Sequence, residues 1–337
     1  MTVSLCVIAY NEEKVISDLF NNIIDQNYPH NKMEIVLVDS GSSDQTKLLM
    51  QNFAETDHGF LRVKICDNPK KKQAAGWNIA IKEARCDIIL RVDAHAVIPF
   101  DFVTKNVECI KNGEFVSGGK RPNIPDNDSA WSNTLQLVEK SMFGSSFASY
   151  RSSNKKGYVK SIFHGAYRKE VFERTGLFNE NLGRTEDNEM HYRIIKAGYK
   201  ICYSPQIISY QRTRSSFRKL MKQKFGNGYW VGLTVGACRG CLSYFHFVPL
   251  CFVLCLSVCL GLAFFGFPIP LIILGSVYLL TNLIMSASAI ITENRFNILY
   301  LTIPFIFLCL HLSYGVGTMI GILEMPFWLK KYKKQQI

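Results

Sequence analysis

Four short apolar runs in the first hundred residues end on polar side chains, at Tyr10–Asn11, Asp39–Ser40–Gly41, Asp67–Asn68 and Asp93–Ala94–His95. Three of these ends carry a carboxylate, a pattern suited to a phosphorylated, metal-bound ligand. Asp39 can accept a hydrogen bond from a nucleobase N–H or a ribose hydroxyl. Asp93 can hold a hydroxyl or a divalent cation. Hard oxygen ligands suit Mg²⁺ or Mn²⁺, and the imidazole of His95 two residues on tilts the choice toward Mn²⁺. Such a cation would neutralise a departing diphosphate. The structural alternative is that Asp39 and Asp44 simply cap a Ser/Gly-rich turn and the helix that follows it.

A second acidic pair, Glu186 and Asp187, follows Thr185 and opens a helical pattern with Tyr192, Ile194 and Ile195 on its apolar side. First-turn carboxylates are favoured by the helix dipole alone. The sharper reading makes Asp187 a general base that takes a proton from an attacking hydroxyl. Farther along, Phe225–Gly226–Asn227–Gly228–Tyr229–Trp230 supplies aromatic rings suited to a membrane surface or to an acceptor-sugar groove.

The elements that must position these groups alternate between two periodicities. Val3 to Ala9 reads as a buried strand, and Glu12 to Gln26 as an amphipathic helix with Val15, Ile16, Leu19, Phe20, Ile23 and Ile24 on one face. The cycle repeats with strands at Glu34 to Asp39, Leu61 to Asp67 and Cys86 to Asp93, and helices at Asp44 to Ala54 and Gln73 to Ala84. This alternation predicts an α/β fold, a mostly parallel sheet with helices on both faces. Ligands in such sheets sit outside the carboxyl ends of the strands. Beyond about residue 114 the pattern loosens into a loop at Arg121 to Asp128, a helix from Trp131 to Phe143 and a basic loop from Tyr150 to Lys156.

The chain has 337 residues, net charge +12 and 48% apolar residues, but these are unevenly spread. No Asp, Glu, Lys or Arg occurs from Tyr244 to Thr292, nor from Phe296 to Leu323. A spanning helix needs about 20 apolar residues, so a wholly soluble protein is excluded. Three segments are expected, Phe245 to Phe267, Ile269 to Ile291 and Asn297 to Leu323; the first two, joined by the uncharged Phe265–Gly266–Phe267–Pro268–Ile269–Pro270, can form a tight hairpin, and the last contains Tyr314–Gly315–Val316–Gly317, where a helix can break. Residues 1–240 then form one domain and 241–337 a membrane domain. Thr2 to Tyr10 lacks the marks of a signal peptide, so the front domain is expected in the cytoplasm. Arg212, Arg214, Arg218, Lys219, Lys222, Lys224 and Arg239 crowd the approach to the membrane and place that flank on the cytoplasmic side. Three crossings would leave Lys330, Lys331, Lys333 and Lys334 outside, so either one segment is re-entrant or the charge rule is broken. The basic cluster carries no nucleic-acid recognition motif, and nucleic acid is not expected as a partner. Eleven scattered cysteines fit a reducing compartment.

Together these segments resemble family 2 glycosyltransferases of the GT-A fold. Val7–Ile8–Ala9–Tyr10–Asn11–Glu12–Glu13 and Val38–Asp39–Ser40–Gly41–Ser42–Ser43–Asp44–Gln45–Thr46 are similar to that family's nucleotide-binding strand ends, and Asn68–Pro69 with Ala74 to Asn78 fits its third unit. Arg91–Val92–Asp93–Ala94–His95–Ala96, His164–Gly165–Ala166–Tyr167–Arg168–Lys169–Glu170–Val171–Phe172 and Thr185–Glu186–Asp187–Asn188–Glu189 most resemble the succinoglycan-type branch, membrane enzymes that extend lipid-linked exopolysaccharide units. The likeness covers residues 3 to about 240. Two departures stand out. The usual Asp-x-Asp reads Asp93–Ala94–His95, and the Gln-x-x-Arg-aromatic motif reads Gln223–Lys224–Phe225–Gly226–Asn227.

The resemblance implies an inverting, membrane-anchored hexosyltransferase with its catalytic domain in the cytoplasm. It would move a sugar from a nucleotide-sugar donor, UDP-linked, to a polyprenyl-diphosphate-linked glycan, with membrane lipid and other polysaccharide-assembly enzymes as partners. It implies Asp187 as catalytic base with Glu186 beside it. Donor contacts are expected at Ala9, Tyr10, Glu12, Asp39, Lys72 and Asp93, and the divalent cation, Mn²⁺ or Mg²⁺, at Asp93 and His95. Acceptor contacts are expected at His164, Gly165, Gln223, Tyr229 and Trp230. Two rivals stay open: transfer to polyprenyl phosphate itself, and a scaffold that binds nucleotide-sugar without turnover.

Overall fold

The computed structural model describes residues 1–125, 127–144, 154–213, 216–293 and 296–334. Arg214 and part of the basic loop expected at Tyr150 to Lys156 lie outside the described residues. The chain runs through β1 (Val3–Ala9), α1 (Ile16–Ile24), β2 (Met33–Asp39), α2 (Thr46–Glu55), β3 (Arg62–Asp67), α3 (Gln73–Glu83), β4 (Ile88–Asp93) and β5 (Ala96–Val97). It continues through α4 (Phe102–Lys111), β6 (Val116–Lys120), β7 (Asn123–Ile124), α5 (Ala130–Lys140), β8 (Gly157–Val159), β9 (Gly165–Arg168), α6 (Lys169–Thr175), α7 (Glu186–Lys196), β10 (Ile201–Ile208) and β11 (Tyr210–Arg212). The last helices are α8 (Phe217–Ala237), α9 (Val248–Phe264), α10 (Ile269–Ile291) and α11 (Ile303–Lys334).

Two compact units result, residues 1–122 with 148–211, and residues 123–147 with 212–337. The first is built on an eight-stranded sheet of order β3-β2-β1-β4-β9-β6-β10-β8. Strands β1 to β4 are parallel to their neighbours in the sequence of expected βα units, whereas β9 runs antiparallel between β4 and β6. The period of two sorts side chains onto opposite faces. Val3, Leu5 and Val7 of β1 join Met33, Ile35 and Leu37 of β2 in one core under α1, α2 and α4. Cys6, Val36, Val38 and Ile89 join a second core under α3, α6 and α7. The first helix begins at Ile16, later than the expected Glu12, because Asn11 takes a left-handed φ of 55° and the segment after it turns.

In the second unit, the helical stretches Tyr244–Phe264, which ends in α9, Ile269–Ile291, which is α10, and Ile298–Tyr332, which takes in most of α11, are long and apolar enough to cross a membrane. Of the two alternatives, a break at Tyr314–Gly317 is not taken: α11 is continuous through it. Its glycines instead permit close approach: an added Cβ on Gly317 would run into Phe225 O, on Gly321 into Tyr229 O, and on Gly315 into Pro249 O. Gly228 and Gly232 of α8 meet the backbone at Tyr314 and Thr318 in the same way. The two helices are therefore seated backbone against backbone, as small residues allow in membrane helix pairs. All eleven cysteines are free thiols.

Candidate active site

The carboxyl ends of β1 to β4 form one edge of the sheet. Parallel register sets Ala9 opposite Asp39, Asp39 opposite Asp67, and Ile8 opposite Asp93. Asp39 is buried, and its carboxylate accepts hydrogen bonds from the backbone N–H of Gly41 (3.1 Å) and Ser42 (3.2 Å). Gly41 supplies the left-handed φ of 75° that this turn requires, and the Lys71 side chain lies against it. Asp44 accepts from Thr46 N (3.0 Å) and from Glu13 N (3.2 Å). The turn-capping role weighed for Asp39 and Asp44 is thus visible. Asp67 pairs with Lys47 at 2.7 Å. Ala9 is buried and Tyr10 is exposed.

Glu12 Oε1 lies 3.0 Å from His95 Nδ1, while the Glu12 amide donates to Thr46 Oγ1. Asp93 Oδ2 lies 3.2 Å from His164 Nε2, and His164 Nδ1 meets Ser209 Oγ at 2.8 Å. Burial pushes the His164 pKa down despite Asp93. His164 Nε2 faces Asp93 at ion-pair distance but is not aligned for a hydrogen bond to it. Burial opposes ionisation of Asp93, but His164, His95 and Arg91 outweigh it and hold the carboxyl well below its usual range.

The donor chemistry fits a cation that arrives with a diphosphate. Asp93 offers a hard carboxylate, and a carboxylate on one nitrogen of His95 is the usual way an imidazole ligand is oriented. Among the described residues no group of three or more His, Cys, Asp or Glu side chains converges into a complete cage, so the remaining ligands would be donor oxygens and water.

Asp187 stands in the first turn of α7, where the helix dipole favours its charge. Thr185 occupies the N-cap position without its side chain capping the helix. Arg91 Nη2 lies 2.9 Å from Asp187 Oδ1, an ion pair whose N–H groups are not aligned for a hydrogen bond. The Arg91 side chain is 2% exposed and that of Asp187 21%. The guanidinium carbon lies over the rings of Trp77 (4.3 Å to the centroid) and Phe178 (4.4 Å). Glu186 is buried, and burial followed by repulsion from Asp187 pushes its pKa to about 8. Behind the pair, the Tyr167 hydroxyl meets His191 Nε2 at 2.8 Å and His191 Nδ1 meets Ser161 Oγ at 2.9 Å. Burial pushes Tyr167 up to about 12 and His191 down to about 4, so both are neutral at pH 7.

The Phe178 segment is pinned from several sides. Asn78 Nδ2 donates to Phe178 O (2.9 Å), and Asn78 Oδ1 accepts from Phe178 N (2.8 Å). Glu180 takes Lys70 (2.6 Å) and Asn78 (3.0 Å) on its carboxylate, and Lys72 Nζ donates to its carbonyl at 3.1 Å. Gly165 pairs with Gly118 across β9 and β6, and an added Cβ there would strike Ile162.

The remaining acceptor candidates belong to the second unit, on α8. Gln223 Oε1 is buried without a hydrogen-bond partner among the described residues. Tyr229 donates to Glu324 at 2.6 Å, and Trp230 meets Trp328 edge-on at 6.4 Å. Next to Gln223, Lys224 pairs with Glu139 at 3.1 Å.

Arg91, Tyr167, His191, Asn78 and Glu180 were not among the expected site residues. Only Arg91 left a signal, a cation inside the apolar run Ile88–Asp93. The others depend on contacts between segments far apart in sequence.

A mostly parallel sheet covered by helices, with polar residues gathered at the carboxyl ends of β1 to β4, is the architecture of the GT-A fold. The chain belongs to glycosyl transferase family 2, whose model matches residues 4–176. It is 30% identical over 326 residues, 93% of this chain and 95% of the relative, to the dolichyl N-acetyl-alpha-D-glucosaminyl phosphate 3-beta-D-2,3-diacetamido-2,3-dideoxy-beta-D-glucuronosyltransferase of Methanococcus voltae. It is 29% identical over 234 residues to the succinoglycan biosynthesis protein ExoA of Rhizobium meliloti, covering 67% of this chain and 68% of that one. Its fold is that of the mannosyltransferase PcManGT from Pyrobaculum calidifontis, solved with GDP-Man and Mn²⁺, with a TM-score of 0.63 at 19% identity over 94% of this chain and 86% of the other. The protein is a glycosyltransferase.

Proposed function

We propose that it moves one sugar from a nucleotide-sugar, UDP-linked, to a hydroxyl of a glycan carried on a polyprenyl diphosphate, with inversion at the anomeric carbon. The observation that carries this reading is the Arg91–Asp187 pair, because Arg91 stands two residues before Asp93 on β4 and so ties the candidate base to the donor edge of the sheet. In a single displacement Asp187 takes the proton of the acceptor hydroxyl as its oxygen attacks C1 and the bond from C1 to the diphosphate breaks. Glu186, neutral beside it, spares Asp187 a second negative neighbour.

Ala9, Tyr10, Glu12 and Asp39 are assigned to the nucleoside, and Lys72 to the diphosphate. Asp93 and His95 would hold a divalent cation, Mn²⁺ by preference and Mg²⁺ otherwise, which when bound would supply positive charge against the leaving diphosphate. His164 and Gly165 are assigned to the acceptor sugar, and Gln223, Tyr229 and Trp230 on α8 to its lipid-linked portion. The Methanococcus relative, by its name, elongates a sugar already attached to a dolichyl phosphate, which favours a lipid-linked saccharide over bare polyprenyl phosphate. The three apolar helices and the basic residues of α8 support a multi-pass membrane protein with the catalytic unit in the cytoplasm.

The test is nucleoside diphosphate release by membranes bearing the protein, with UDP-, GDP- and dTDP-sugars, Mn²⁺ or Mg²⁺, and a lipid-linked oligosaccharide extract. Release from one donor that requires the extract is expected. Release with purified polyprenyl phosphate alone would favour the carrier-linked monosaccharide, and binding without turnover would favour a scaffold.

A further inference from the structure

Arg91 occupies a position that packing alone would give to an aliphatic residue. It follows Ile88, Ile89 and Leu90 in a run of buried β4 side chains, and it points to the same face as Ile89. Its guanidinium carbon lies over the rings of both Trp77 and Phe178, and Nε and Nη1 have no hydrogen-bond partner among the described residues. Its ion-pair partner is Asp187, which keeps a fifth of its side chain open to solvent. A methionine would fill the slot without the cost of desolvating a cation, so filling the core does not account for an arginine. The Tyr167–His191–Ser161 chain backs this arrangement, and His191 lies one helical turn beyond Asp187 on α7.

We infer that Arg91 is a positioning residue for proton transfer: it anchors Oδ1 of Asp187 by charge so that Oδ2 is presented to the acceptor hydroxyl. The two aromatic rings hold the guanidinium by cation–π contact, and the tie from Asn78 to the Phe178 backbone holds one of those rings in place. Arg91 carries no proton in the reaction; the acceptor proton passes to Asp187 and then to water. This inference rests on Asp187 being the base.

The test compares Arg91→Met, Arg91→Lys and Asp187→Asn in the full chain in native membranes, with turnover read as nucleoside diphosphate release and donor-site integrity as UDP affinity. Arg91→Met is expected to lower kcat at least 100-fold with UDP affinity within threefold of the parent, and Arg91→Lys to recover at least tenfold of that loss. A kcat within threefold of the parent, a parallel loss of UDP affinity, or no recovery with lysine would overturn the inference. Should Arg91→Met fail to fold, Arg91→Lys alone is expected to lower kcat about tenfold at unchanged UDP affinity, and an unchanged kcat would overturn it. An active Asp187→Asn would overturn the base assignment beneath it; an inactive Asp187→Asn with a fully active Arg91→Met would overturn only the role of Arg91.

Discussion

Glu12 Oε1 and His95 Nδ1 lie 3.0 Å apart and join the segment after β1 to the segment after β4. A carboxylate on one ring nitrogen orients an imidazole toward a cation, and imidazole favours Mn²⁺ over Mg²⁺ more than carboxylate does. His95→Asp, which restores Asp-x-Asp, is therefore expected to lower the ratio of the Mn²⁺-supported to the Mg²⁺-supported rate. Metal titrations of transfer activity in the two proteins check this, and an unchanged ratio would remove His95 from the cation.

Glu186 makes stability depend on pH with a defined sign. Its carboxyl titrates near 4.5 when unperturbed and near 8 in the fold, so the folded chain holds an extra proton between these values. Stability from this group therefore falls as pH rises through that window. Burial lowers the pKa of His191 and His164, and their contribution has the opposite sign but is complete by about pH 6.5. Between pH 6.5 and 8 the melting temperature of the parent should fall relative to Glu186→Gln. A difference that stays constant across that interval would contradict a buried, protonated Glu186.

Asn78 is the buried clamp on Phe178. Asn78→Ala removes the bonds to Phe178 N and O and leaves both backbone groups unpaired. At about 1 kcal/mol for each hydrogen bond, and more where a buried group is orphaned, a loss of about 2–3 kcal/mol is expected in urea unfolding. A loss under about 0.5 kcal/mol would mean that the loop is held instead by Glu180 and by Arg193, whose Nη2 donates to Leu177 O at 2.7 Å.

The seam between α8 and α11 predicts opposite signs for one substitution at two kinds of glycine. Gly321→Ala drives a Cβ into Tyr229 O, whereas a Cβ on Gly261 of α9 meets nothing within 4 Å. Overpacking costs about 1–3 kcal/mol, and an unhindered Gly→Ala in a helix gains up to about 1 kcal/mol. Thermal unfolding in detergent should show Gly321→Ala melting lower than the parent and Gly261→Ala no lower.

The alternating apolar runs made β1 to β4 readable to within about two residues and placed their helices between them, because β1, β2 and β4, buried on both faces, leave near-continuous Val/Ile/Leu runs. The antiparallel insertion of β9 was not readable, since Gly165–Arg168 is four residues long and its partners Ile88–Leu90 and Val116–Gly118 lie far off in sequence. At the site, Asp39, Asp93, His95 and Asp187 stood out as polar residues at element ends. What sequence spacing does not encode is which of them meet: that Glu12 turns to His95, that His164 turns to Asp93, and that Arg91 crosses under Trp77 to reach Asp187. Tyr314–Gly317 stayed ambiguous for a related reason. Glycine at helical spacing signals either a break or a close neighbour, and the neighbour, Phe225 of α8, is ninety residues away.

The most direct test of the account is Asp187→Asn, assayed for sugar transfer and for UDP affinity in the same membranes. The account predicts that transfer falls by about 10²–10⁴-fold, the range of a general base, while UDP affinity is unchanged. Transfer at the parent rate, or a loss of UDP binding that matches the loss of transfer, would contradict the assignment of Asp187 as the base.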